Sequence, residues 1–97
     1  FVYTGFRPAF VMVKRTDSTE SWYIHDNKRD TFNPSDKHLL ANSANAENAQ
    51  EDIDLLSNGI KIRSTDNGYN ASGSSYIYMA FAESPFVNSN GVPTNAR

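Results

Sequence analysis

Ser75-Tyr76-Ile77-Tyr78-Met79-Ala80-Phe81-Ala82-Glu83-Ser84-Pro85-Phe86 decides how this chain reads. Aromatic or bulky side chains alternate with small ones, and the stretch has no catalytic signature. It passes into a polar tail, Val87 to Arg97. A β-domain ends in this way when it packs and presents a surface. The stretch is read as a final strand from Ser74 to Glu83, bounding a domain over residues 1–86, with 87–97 as the tail.

Upstream lies the clearest hairpin. Ile53-Asp54-Leu55-Leu56 and Ile60-Lys61-Ile62-Arg63 flank Ser57-Asn58-Gly59. The Asn-Gly pair predicts a type I′ turn, with Ile60 and Ile62 facing the core and Lys61 and Arg63 facing water. Between hairpin and final strand, Asp66 to Gly73 reads as a turn-rich loop. Nearer the start, Phe1-Val2-Tyr3 is a short strand that ends before Pro8. Ala9 to Arg15 is an apolar run, predicted to be a central strand buried on both faces. Ser21 to His25 puts Trp22 and Ile24 on one face and Tyr23 and His25 on the other. Asp26 to Lys37 is a polar loop containing Asn33-Pro34. His38 to Asn42 is a short strand, and Ser43 to Asp52, rich in Asn and Ala, is expected to be exposed and outside the strands, with room for one helical turn that would lack an apolar face. Six to seven short strands with local hairpin order predict an all-β fold. The expected form is an antiparallel β-sandwich of jelly-roll or lectin-like type.

Composition sets limits. With 97 residues the chain holds one domain with one core. Charged residues make up 21% and apolar residues 38%, a globular balance. A net charge of −2 argues against nucleic acid, whose phosphates need an excess of Lys and Arg. No apolar run is long enough to insert in a membrane. The absence of cysteine excludes disulfides, thiolate zinc sites and a cysteine nucleophile. Phe1 in place of Met suggests a fragment or a processed product.

Chemistry-bearing patterns are sparse. His25 and His38 lack metal-ligand spacing. Asp66-Asn67-Gly68 resembles part of a calcium loop but lacks its frame, so no metal and no cofactor is expected. No G-x-S-x-G turn or phosphate-binding glycine loop occurs. A pair of the many carboxylates, set across a groove, would be needed for a polysaccharide depolymerase, and an enzyme is not expected. Asp26 and Arg29, three apart, are expected to pair and hold the loop to the sheet. Aromatics are abundant: one Trp, five Tyr and six Phe. Phe6, Phe10, Phe81 and Phe86 are the expected core, and Tyr23, Tyr69 and Tyr76 or Tyr78 the candidates for exposure. Sugars are held by rings stacked on C–H faces, beside amides and carboxylates that read hydroxyls. Tyr69 among Asp66, Asn67 and Asn70, with Trp22 as a second ring, is the candidate ligand-binding set.

Taken in order, several segments resemble a β-rich domain of tailed-bacteriophage tail-fibre and tail-tip proteins. They are Gly5-Phe6-Arg7-Pro8 leading into Ala9 to Arg15, Trp22 to Asp26 with Arg29, Leu39-Leu40-Ala41-Asn42, Leu56-Ser57-Asn58-Gly59-Ile60-Lys61, and Tyr76 to Glu83. The match covers nearly the whole chain. The resemblance implies a distal, lectin-like C-terminal domain in the virion tail, assembled in the host cytoplasm. It also implies a homotrimer within a longer fibre chain. The implied partner is a bacterial surface glycan or an outer-membrane receptor, bound weakly and multivalently. The resemblance supplies no catalytic residue. The rival expectation is a trimerisation or capping domain, with Tyr78, Phe86 or Val87 at subunit contacts.

Overall fold

The computed structural model describes residues 1–83, apart from the side chains of residues 50–52. The expected tail, and with it Phe86 and Val87, lies outside the described residues. Among the described residues seven strands run in chain order: β1 (Val2–Tyr3), β2 (Pro8–Arg15), β3 (Tyr23–Asp26), β4 (Ser35–Leu40), β5 (Asn48–Leu56), β6 (Gly59–Ile62) and β7 (Tyr76–Ala82). One helical turn, α1 (Asn67–Asn70), lies between β6 and β7. All strand pairs are antiparallel, so the fold is all-β as expected. The strands form one sheet in the order β1-β6-β5-β4-β3-β2-β7, curled into a half-barrel.

Strand β4 makes the corner. Its first part, Ser35 to His38, pairs with β5, and its last residues, Leu39 and Leu40, pair with β3. The register slips here: while β4 advances from Ser35 to Lys37, β5 runs from Ile53 to Ala49, so the two extra residues lie on β5. The two layers of a sandwich are here two halves of a single sheet, β1-β6-β5 and β3-β2-β7, facing each other. Between them sit Val11, Val13, Ile53, Leu55, Ile60 and Tyr69. Burying each such side chain contributes about 1.5–3 kcal/mol.

Several local expectations are corrected. β2 is buried on one face only: Val11 and Val13 point inward, while Phe10 and Met12 lie on the outer face, half-buried. Phe81 is 56% exposed and sits beside Phe10, with ring centroids 5.8 Å apart. That pair is therefore outside the core, because the alternation of β7 sends Phe81 to the same face as Phe10. The β5–β6 turn is not type I′. Leu56 pairs with Gly59 across Ser57 and Asn58, and neither loop residue has positive φ. Gly59 is needed for space instead: a Cβ there would lie 2.1 Å from the carbonyl oxygen of Val2. Residues 48–52, expected to lie outside the strands, open β5.

The loop after β3 is held as expected. Asp26 accepts from the backbone N–H of Lys28 (3.0 Å) and Arg29 (2.8 Å), and Arg29 Nε donates to Asp26 Oδ2 at 2.6 Å. Arg29 also reaches the Lys37 carbonyl and Glu47. Burial resists ionisation of Asp26, but these donors outweigh it and hold the carboxyl below its usual range. Further on, Asn33 behaves as a one-residue strand: its Nδ2 donates to the Leu55 carbonyl and its Oδ1 accepts from the Leu55 N–H, both at 2.9 Å.

Candidate functional site

The half-barrel is open where its two ends approach. Phe1 and Val2, beside and on β1, and Ile60 and Ile62 on β6 form one wall; Tyr76 and Tyr78 on β7 form the other. Val13 and Tyr69 make the floor, and Asn70, Ala71 and Ser74 close one end. The cavity measures about 330 Å³. That is at the small end of ligand pockets, enough for one sugar ring or a molecule of that size.

Local chemistry fixes this mouth. Asp66 caps α1, its side chain accepting from the Gly68 N–H at 2.7 Å. Gly68 lies under the ring of Tyr23, where a Cβ would be 2.5 Å from the ring carbons. This close approach lets Tyr69 stack against Tyr23, with centroids 4.3 Å apart. The Tyr76 hydroxyl accepts from the Ala71 N–H and donates to the Asn67 carbonyl, both at 2.8 Å, tying α1 to β7. Asn70 Nδ2 donates to the Ser64 carbonyl at 3.1 Å. Tyr78, 49% exposed, carries the largest open ring of the lining apart from Phe1.

Of the predicted set, Tyr69 and Asn70 line the mouth. The exposure expected for Tyr69 is corrected. Its residue is 3% exposed, with the ring set in the core, so only an edge borders the cavity. Asp66 and Asn67 serve α1 rather than the cavity wall. Trp22 stands apart, on the outer-face alternation of β3, with its backbone N–H donating to Asn42 Oδ1 at 3.2 Å. The sequence reading missed Phe1, Val2, Ile60, Ile62 and Ser74. It had Tyr76 and Tyr78 only as alternatives, although their two-residue spacing on one strand face was the available signal.

Behind the floor lies a buried polar cluster. His25, fully buried, has Nε2 2.8 Å from the Tyr69 hydroxyl and Nδ1 3.3 Å from Ser35 Oγ. His38 lies alongside, with ring centroids 6.0 Å apart. Burial first, then the neighbouring His38 and Arg29, push the His25 pKa down to about 3, so the ring is neutral. Ser35 and His25 are the nearest approach to a nucleophile–base pair, and neither reaches the surface. At the periphery, Asp30 accepts from the N–H groups of Asp36 and Lys37. Burial opposes ionisation of Asp30, yet these bonds lower its pKa, while the hydrogen bond to Asp30 raises that of Asp36. Among the described residues, no group of three or more His, Cys, Asp or Glu side chains is placed to hold a metal ion. No helix among them is long and apolar enough to cross a membrane.

Residues 1–85 match the family model described as "Domain of unknown function (DUF7483)". The chain belongs to this family. Searches of curated proteins and of solved structures find no match. The family match ends within three residues of the last described residue, so it covers the whole half-barrel and its mouth.

Proposed function

We propose that this chain is an attachment domain of a tailed-bacteriophage tail fibre, and that its mouth takes one sugar residue of a bacterial surface glycan. The observation that carries the reading is the mouth itself: Tyr76 and Tyr78 on one face of β7, opposite Phe1, with Asn70 and Ser74 at one end. Rings supply faces for sugar C–H groups, and the amide and hydroxyls supply donors and acceptors for its hydroxyls. The resemblance of the strand sequence to fibre domains supplies the biological setting. A site this shallow binds at about millimolar strength, roughly 4 kcal/mol. Attachment then depends on several copies engaging one surface.

The test is an NMR titration of the intact chain with neutral hexoses and N-acetylhexosamines. Saturable shifts of Asn70, Ser74, Tyr76 and Tyr78 are expected, and Tyr78→Ala should abolish them while the other resonances stay in place. No saturable shift with any sugar, or shifts confined to another face, would defeat the reading. A role in assembly is the second reading, favoured by the row of exposed apolar side chains on β7.

A further inference from the structure

The two edges of the sheet are protected unequally. β1 is two residues long, and so short an edge offers little to pair with. β7 is seven residues long, Tyr-Ile-Tyr-Met-Ala-Phe-Ala, without a charge, a proline or a glycine. On its free side no strand follows among the described residues. Ile77, Tyr78, Met79 and Phe81 are 50, 49, 44 and 56% exposed. Natural sheets blunt long edges with charge, proline or bulges, and an unblunted one is a template for another strand.

From this we infer that β7 pairs antiparallel with β7 of a second copy of this chain, about a twofold axis through Met79. The sequence selects both occupant and register. A sheet that continues through a twofold must set inward residues opposite inward residues. The register centred on Met79 does so and uses the whole strand. It places Tyr78 opposite Ala80, Tyr76 opposite Ala82 and Ile77 opposite Phe81 of the other copy. Each inward tyrosine thus meets an alanine. Centring on Tyr78 would set that ring against its own copy, and centring on Ala80 would leave two small residues facing. Electrostatics agree: beyond the strand, Ser75 falls opposite Glu83, so no like charges meet. The interface is isologous and closes as a pair.

Its strength follows from its size. A half-exposed aromatic or large aliphatic side chain retains roughly 80–100 Å². The four exposed side chains therefore offer at most about 400 Å² per copy, against about 800 Å² per partner in a standard stable interface. The dimer is accordingly weak and concentration-dependent.

Sedimentation equilibrium of the intact chain across a wide concentration range tests it. Reversible monomer–dimer behaviour is expected. Met79→Lys sets two ammonium groups across the axis and should weaken dimerisation at least about tenfold. Phe32→Lys, at an 83% exposed loop position, should leave it unchanged. Register is read by mixing: Ile77→Lys and Phe81→Glu each weaken self-pairing, but the two variants together form a heterodimer through one Lys–Glu contact. All three β7 positions point outward and are partly solvated, so circular dichroism of the variants should match that of the parent chain. A monomer at every concentration, whether β7 is bare or covered by residues 84–97, would overturn the pairing. So would a trimer, an unaffected Met79→Lys, or a mixture that fails to associate.

Discussion

His25 and Tyr69 do the work at the residue scale that a reading of motifs assigns to neither. Tyr69 lies between Gly68 and Asn70 in a segment rich in turn residues, and such segments ordinarily sit outside. Here the glycine removes the Cβ that would strike Tyr23, and the ring enters the core. Its hydroxyl then meets a fully buried imidazole at 2.8 Å. Tyr69→Phe should therefore lose about 1–3 kcal/mol, chiefly by leaving a His25 nitrogen without its partner. Urea unfolding with an unchanged slope and a lower midpoint would confirm this; an unchanged midpoint would count against it. The same histidine predicts a pH dependence. Its pKa is about 3 when folded and about 6.5 when unfolded, so the unfolded chain binds the extra proton. The stability from keeping the ring neutral is full above pH 6.5 and is lost as pH falls towards 3. Between pH 6.5 and 4.5, above the range where most carboxylates titrate, stability should fall by about 2–3 kcal/mol. A flat profile across that window would contradict the buried neutral imidazole.

At the scale of elements, most strands were legible in the sequence and their placement was not. The β5–β6 hairpin, the shared face of Tyr23 and His25 and the final strand all follow from period-two alternation, but Tyr23, expected to be exposed, packs against the core instead. What escaped is what alternation cannot encode. β4 divides its partners between two strands, and nothing in its composition marks the point of division between His38 and Leu39. β2 reads as buried on both faces because Phe10 and Met12 are apolar, yet no described layer covers them. Gly59 reads as a turn residue, although what it provides is room for the backbone of β1. Gly59→Ala should push Val2 away from β6 and loosen the Phe1 wall of the mouth. A loss of about 1–3 kcal/mol is expected, together with weaker sugar binding; native stability and binding would show that β1 does not need this approach. Asn33, unremarkable in the sequence, joins the loop before β4 to Leu55. Asn33→Ala leaves a donor and an acceptor of that backbone unmatched and should cost about 2 kcal/mol. Hydrogen exchange would show the effect first at the Leu55 amide.

For the whole molecule, the candidate site depends on closure that no local pattern announces. Phe1, Ile60 and Tyr78 are far apart in sequence and meet because the sheet curls until its ends face each other. The sequence pointed to aromatic rings beside asparagines, and of that set Tyr69 and Asn70 line the mouth. Its rings, however, come from β7 and the start of the chain, with the Asp66–Asn70 segment supplying the floor and one end. The central claim is that this mouth binds a sugar. The most direct measurement is the sugar titration followed by NMR, on the parent chain and on Tyr78→Ala. Saturable shifts at Asn70, Ser74, Tyr76 and Tyr78 that vanish in the variant are the predicted result. A mouth that stays silent to every hexose and N-acetylhexosamine tested would contradict it.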